Sequence, residues 1–271
     1  MDIRTVLVTG ATDGIGKQTA IELARKVYKV LIHGRDKARG AKALDEVNRD
    51  TCNENLVLYL ADFSSFSDVK RMADEIRREQ SDLHVLINNA GTFSKEKLLT
   101  KDGFEMTFAV NHLAPFLLTM LLLDLLKASA PARIINVSSV AHRNISEVDF
   151  ENLQAEKAFD GFEAYGLSKL GNILFTNELA QRLKGSRVTA NSLHPGVIST
   201  KMQRASYNLE GASVEEGAQT PVYLASSLEV EGVTGRYFSR MVEKPTSDLA
   251  QNKVLQKKFW KISEELLSGF L

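Results

Sequence analysis

A tyrosine and a lysine stand four residues apart, at Tyr165 and Lys169, in a stretch of helical period, so both side chains share one helix face. An unperturbed phenol titrates near ~10, too high for efficient proton exchange at neutral pH. A neighbouring ammonium favours the phenolate, and lowering that pKa by ~3 units takes about 4 kcal/mol, reasonable for close charges in a partly dry site. Near the start of the chain, Thr9-Gly10-Ala11-Thr12-Asp13-Gly14-Ile15-Gly16 follows a β-branched run and opens a helical one. Glycines in such a turn allow a tight reversal, close approach of backbone to a pyrophosphate, and close packing of helix on strand. The helix N-terminus then offers N–H groups and the positive end of its dipole to the phosphates. The spacing departs from the commonest GxGxxG. The strand–turn–helix context therefore carries the assignment of Gly10, Thr12, Asp13, Gly14, Ile15 and Gly16 to a dinucleotide.

Elements to hold these residues can be read along the chain. Short β-branched runs at 5–9, 30–34, 56–61, 83–88, 133–137, 188–193 and 235–238 alternate with segments of helical period at 15–28, 36–49, 65–79, 104–126, 164–183 and 214–225. That alternation predicts βαβ units with right-handed crossovers. The expected fold is α/β: one doubly wound Rossmann-type domain over 1–271, with a parallel sheet of about seven strands and helices on both faces. A substrate loop is expected at about 197–216, and a C-terminal helical tail at about 248–271 that ends in an amphipathic stretch.

Composition narrows the function. The 34 basic and 34 acidic residues balance, so no global field draws the chain to nucleic acid or an anionic membrane. Cys52 is the only cysteine, which rules out an intramolecular disulfide and a thiolate metal cluster; the five histidines are scattered, and no metal site is expected. The N-terminal residues lack the regions of a signal peptide. The most apolar run, 113–126, is read as too short to span a bilayer and as broken by Pro115 and Asp124, hence as a core helix. A cytoplasmic protein without an integral membrane segment is expected. Cofactor choice falls to His33-Gly34-Arg35-Asp36 at the end of the second strand. Arg35 would accept the 2′-phosphate of NADP, with Lys17 adding positive charge; Asp36 could bond the ribose of NAD or simply cap the next helix. NADP(H) is the preferred reading and NAD(H) the alternative.

Further along come Asn88-Asn89-Ala90-Gly91, Asn111, Ser138-Ser139, Tyr165-Gly166-Leu167-Ser168-Lys169 and His194-Pro195-Gly196. In this order, after the glycine turn, the chain resembles the short-chain dehydrogenase/reductase family from Thr5 to about Phe238. The resemblance implies hydride transfer between a nicotinamide and a carbonyl or alcohol carbon. It makes Tyr165 the general acid/base, and Lys169 the group that assists it and holds the nicotinamide ribose. Ser139 would donate a hydrogen bond to the substrate oxygen, with Ser138 the alternative if the strand register shifts by one. Asn111 would hold a water linking Lys169 to solvent, or else be a polar residue that kinks its helix. Asp62 would contact the adenine and Asn89 would lie beneath the cofactor, beside Ala90 and Gly91. Pro195, Gly196, Val197 and Thr200 would shape the loop around the nicotinamide.

Two departures stand out. Asp13 occupies a position where many NADP-preferring members carry a basic residue, and the gap from Ser139 to Tyr165 is longer than in many members. The extra stretch at 142–161 is similar to that of the retinol-dehydrogenase-like branch, whose members act on retinoids, steroids and other apolar carbonyls. The substrate is accordingly expected to be a small or apolar ketone, aldehyde or alcohol, gripped by a mobile lid at 199–216. Phe93, Met202 and Tyr207 are candidates for an apolar pocket. A homo-oligomer built on 117–126 is one use of that apolar run, and the core is the other. The rival function is an NADP-binding redox sensor or scaffold without turnover.

Overall fold

Strand β1 (Thr5–Val8) is buried along its whole length, and so are β4 (Val85–Asn88) and β5 (Ala132–Val137), as strands covered on both faces must be. In the computed structural model, which describes residues 3–200 and 211–271, these strands form the centre of one sheet. The sheet has eight strands in the order β3-β2-β1-β4-β5-β6-β7-β8, with β2 (Lys29–Gly34), β3 (Leu56–Leu60), β6 (Val188–His194), β7 (Tyr237–Ser239) and β8 (Val242–Glu243) completing it. The first seven run parallel, and the short β8 pairs antiparallel with β7. The chain order reverses between β1 and β4, and in doubly wound sheets a ligand crevice opens at such a switch point.

Helices cover both faces, and each begins at a polar cap. Asp13 caps α1 (Gly14–Arg25) and Asp36 caps α2 (Lys37–Thr51), accepting from the Arg39 N–H at 2.8 Å. Ser65 caps α3 (Phe66–Glu79), and Asp160 caps α5 (Gly161–Arg182), one turn earlier than the sequence reading placed it. Helix α6 (Val214–Ser226) packs beside α1. The tail forms α7 (Asp248–Gln251) and α8 (Lys253–Leu266).

The apolar run differs from its expected form. Helix α4 spans Met106–Ala128, and neither Pro115 nor Asp124 breaks it. Residues Ala109–Leu113 form a π turn just ahead of Pro115, which absorbs the missing proline donor without ending the helix. At 23 residues and mean hydropathy 1.7 the helix has the length and composition to cross a membrane, yet two-thirds of its apolar window is buried inside the fold. Phe116, Leu117, Leu118, Leu122 and Leu126 belong to the main core, so most of this apolar face packs internally.

Beneath the catalytic end of the sheet, a buried polar ladder ties α4 and α5 to β4 and β5. Asn88 Nδ2 donates to Thr119 Oγ1 (2.9 Å) and to Asn136 Oδ1 (2.8 Å), and Asn136 Nδ2 donates to Thr176 Oγ1 (2.8 Å). Such bonds are costly to leave half made, so they fix how the two helices register on the strands.

The glycine turn is held from below by a histidine. Gly10 N–H donates to His33 Nδ1 (3.1 Å), so the ring proton sits on Nε2, 3.0 Å from the Ala61 carbonyl oxygen. The ring stacks on Phe63 at 4.3 Å. Burial lowers the pKa of His33 from 6.5 to about 4, and burial does the same to His112. Both rings are neutral in the fold, while the unfolded chain takes up protons once the pH drops below 6.5. Their stabilising contribution is therefore complete above pH 6.5 and is lost as the pH falls towards 4, at a cost on the order of 3 kcal/mol for each ring. Denaturant midpoints measured from pH 7.5 to pH 4 should fall steeply across that window. A flat profile would mean that these rings are not held neutral.

Candidate active site

Around the carboxyl ends of β1, β4, β5 and β6 lies a cavity of about 940 Å³. Every site residue read from the sequence lines it except Asn111: the glycine turn, Arg35, Asp62, Asn89, Ala90, Gly91, Ser139, Tyr165, Lys169, Pro195, Gly196, Val197 and Thr200. The turn itself is shaped by conformation and by contact. Gly10 sits at φ +64°, where a Cβ would also crowd Ala90, and Asp13 Oδ1 accepts from the Gly14 N–H at 2.9 Å. Asn89 staples the turn to the end of β4, donating to the Thr9 carbonyl at 2.8 Å.

Lys169 is 3% exposed, and Nζ donates to the Val137 carbonyl at 3.2 Å. Its ammonium lies 5.4 Å from the centroid of the Tyr165 ring, within range of a cation–π attraction. Burial brings the ammonium down to about 8, so at pH 7 it is still predominantly charged. A Cβ on Gly91 would come 3.6 Å from this Nζ and 3.3 Å from Asn111 Oδ1, which places Gly91 beside both groups at the cavity wall. The half-buried Tyr165 packs edge-on against Phe93, with centroids 5.9 Å apart.

The two serines after β5 divide their roles by alternation. Ser138 is buried, and its hydroxyl donates to the Lys169 carbonyl at 2.7 Å. Ser139 is half-buried and caps a 3₁₀ turn (Val140–Asn144), its Oγ accepting from the Ala141 N–H at 3.2 Å and keeping its own proton to give. What brings Tyr165 beside this turn is the small residue after it. A Cβ at Gly166 would lie 3.0 Å from the Ala141 carbonyl and 3.1 Å from Ile145, so a larger residue would push α5 away.

Asn111 is fully buried behind the cavity, in the π turn. Its Oδ1 accepts from the Thr92 N–H (2.7 Å), and its Nδ2 donates to the Thr92 carbonyl (2.9 Å) and Ser168 Oγ (3.0 Å). Ser168 in turn donates to the Tyr165 carbonyl at 2.7 Å. These bonds join α4, α5 and the loop after β4 through the Asn111 side chain.

At the far end of the cavity, Arg35 lines the wall, whereas Asp36 is engaged in its helix cap. Lys17, read as extra positive charge beside the turn, also lines the cavity, and its ammonium pairs with Glu46 at 2.8 Å, a carboxylate that offsets its charge. Arg39 and Ser64 also line the wall, and the sequence reading missed both. Arg39 stands three residues after the cap and 3.4 Å from Asp13 Oδ2, so helix geometry alone pointed to it. Asp62 accepts from the N–H and the hydroxyl of Ser64 at 3.0 and 2.8 Å, closing the pocket floor there.

The apolar lining comes from Met106, Val110, Val140 and Ile198, while Phe93 packs on Phe162 and Tyr165 behind the wall. Met202 and Tyr207, with most of the expected lid, lie outside the described residues. The two ends of that segment meet: Ile198 bridges Ala212, and Ser199 Oγ donates to the Gly211 carbonyl at 2.9 Å. The stretch between the 3₁₀ turn and α5 contributes to the core through Ile145 and Leu153, so it is less polar in its packing than in its composition.

The family model for short chain dehydrogenases matches residues 4–210. Retinol dehydrogenase 12 of Mus musculus is 43% identical over 273 residues, covering 97% of this chain and 86% of its own length. Retinol dehydrogenase 14 of Homo sapiens is 41% identical over 290 residues with the same coverage. A crystal structure of a protein from Mycobacterium paratuberculosis superposes with a TM-score of 0.79 at 31% identity, over 98% of this chain and 93% of that one. The RhlG/NADP complex of Pseudomonas aeruginosa superposes with a TM-score of 0.70 at 28% identity, over 87% and 93%. The chain belongs to the short-chain dehydrogenase/reductase family, in its retinol-dehydrogenase-like branch, and is an oxidoreductase of alcohols and carbonyls.

Proposed function

We infer that the protein interconverts an apolar ketone or aldehyde and its alcohol with NADP(H), using Tyr165, Lys169 and Ser139 as its reacting groups. The observation that carries this reading is the single cavity that runs from the glycine turn and Arg35 to Tyr165 and Ser139. It fits an extended dinucleotide because Gly10 and Gly16, where a Cβ would strike Ala90 and Asn89, let the turn fold tightly against the end of β4 and bring the start of α1 to the cavity for phosphate. A bound nicotinamide supplies the hydride in reduction and accepts it in oxidation.

The chain's own residues handle the oxygen. In reduction, Ser139 donates a hydrogen bond to the carbonyl oxygen as negative charge grows on it, and Tyr165 delivers its hydroxyl proton to that same atom. The phenolate left behind is stabilised by the Lys169 ammonium 5.4 Å from its ring centre, and in oxidation the same phenolate takes the alcohol proton. Proton return runs past Lys169. The water role assigned to Asn111 passes to its main-chain carbonyl, to which Pro115, four residues on, has no N–H to offer. Arg35 gives the adenosine end a cation for the 2′-phosphate, with Arg39 beside it, and Asp36 does not oppose it because it faces its helix. The RhlG relative that binds NADP supports the same choice, and the retinol dehydrogenases support an apolar substrate in a cavity lined by Met106, Val110, Val140 and Ile198.

Fluorescence titration should give tighter binding of NADPH than of NADH, and Arg35→Ser should remove most of the difference while leaving NADH affinity within about twofold. Equal or tighter NADH binding by the wild-type chain would reverse the cofactor assignment. On a panel of aldehydes, ketones and alcohols, Tyr165→Phe should bind NADPH normally and lose turnover by about 10³-fold or more. Ser139→Ala should lose about 10²-fold in kcat. Near-normal turnover in Tyr165→Phe would remove that residue from proton transfer, and a wild-type chain that binds NADPH without turning over any member of the panel would favour a sensor.

A further inference from the structure

Past the end of β5, residues 139–143 turn towards residues 245–247, the link between β8 and α7. Two hydrogen bonds join these segments: the Arg143 guanidinium donates to the Pro245 carbonyl, and the Ser247 N–H donates to His142 Nε2 at 3.2 Å. On the other side of the ring, Nδ1 lies 2.6 Å from the Ser139 carbonyl oxygen. Both partners are main-chain groups whose roles cannot change. An N–H pointed at Nε2 requires a lone pair there, so the ring proton sits on Nδ1 and is donated to Ser139. The ring is fully buried, with its edge towards Tyr237 at 5.2 Å. Burial holds its pKa below the ordinary value, and the Arg143 charge acts in the same direction.

We propose that His142 is a positioning residue for Ser139, a neutral imidazole that transmits the placement of the C-terminal segment 245–247 to the serine hydroxyl. The inference rests on the role proposed above for Ser139. That hydroxyl sits on main chain whose carbonyl is held by His142, and its Oγ accepts from an N–H of the same short turn. Removing the ring lets the Ser139 backbone rotate, which displaces the hydrogen bond to the substrate oxygen while the cofactor cradle on β1 and α1 is undisturbed. Displacements of about 1 Å at a reacting group can cost on the order of 10²-fold in rate.

The test compares three variants by kcat, KM and NADPH dissociation constant. His142→Phe keeps a ring and loses both hydrogen bonds; kcat should fall ten- to a hundredfold with NADPH affinity within twofold of wild type. His142→Asn, whose amide can donate to the Ser139 carbonyl, should recover most of that loss. Ser247→Pro, at a φ of −67° that suits proline, removes the donor to Nε2 and sets a ring carbon where that N–H pointed, which pushes the imidazole off the Ser139 carbonyl, and it should lower kcat in the same direction. The inference is overturned if His142→Phe and Ser247→Pro both keep kcat within twofold, if His142→Asn is no better than His142→Phe, or if kcat and NADPH affinity fall together. Should His142→Phe fail to fold, the kcat of Ser247→Pro decides alone. A wild-type chain without turnover on the whole panel is a separate result, visible before any substitution, and it would sink the proposed function along with this inference.

Discussion

A single ammonium, buried at the carboxyl end of a parallel sheet, sets the terms for everything around it. Lys169 has one main-chain acceptor at 3.2 Å and a tyrosine ring at 5.4 Å, and desolvation has already brought its pKa to about 8. A charge kept that dry interacts strongly with whatever shares the cavity, because the local dielectric is low. The same dryness would be ruinous if Lys169 could shift. Its backbone is accordingly tied to the residue after β5 through the Ser138 hydroxyl, and α5 is tied to the sheet by the Asn136–Thr176 bond two turns further on. Gly166 lets the helix lie against the turn after β5, and Gly171 lets it lie against α4 and α8, because neither has a side chain to hold those neighbours off.

Polar groups do the positioning throughout the site, and they work through main chain. Asn111 grips both the N–H and the carbonyl of Thr92, Asn89 grips the carbonyl of Thr9, and His33 grips the N–H of Gly10. Each bond joins segments far apart in sequence at the one end of the sheet where loops from several strands converge. Removing one partner strands a buried donor or acceptor, so these contacts resist displacement more than their net contribution to stability suggests. The reacting side chains thereby sit on a scaffold whose loops are held by hydrogen bonds, with hydrophobic layers on both faces of the sheet below.

Much of this was legible in the chain itself. Strand and helix order follow from hydrophobic period, and the glycine turn, Tyr165, Lys169 and the Asn-Asn-Ala-Gly run could be placed on the correct elements because each depends on local spacing. Asp36 as a helix cap was also readable, since a cap is a local hydrogen bond between near neighbours. The misreadings share a cause. The apolar run 113–126 was read as too short to span a bilayer, but a π turn ahead of Pro115 lets it continue from Met106 to Ala128 as one 23-residue helix. Lys17 does line the cavity, but the Glu46 carboxylate that offsets its charge comes from the next helix.

What the sequence by itself determined is the inventory and the order: an α/β chain with a phosphate-binding turn, a tyrosine–lysine pair on one helix face, and two serines at a strand end. Tertiary structure alone decided which serine hydroxyl is spent on a main-chain carbonyl, which cations at the cavity wall are paired with carboxylates, and which histidines are held neutral. Those outcomes depend on partners dozens to more than a hundred residues away, as with His142 and Ser247 or Ser138 and Lys169. Periodicity and spacing report what a residue's neighbours in the chain impose on it. Hydrogen-bond satisfaction and desolvation are set by neighbours in space, and the Tyr165–Lys169 pair takes its chemistry from them.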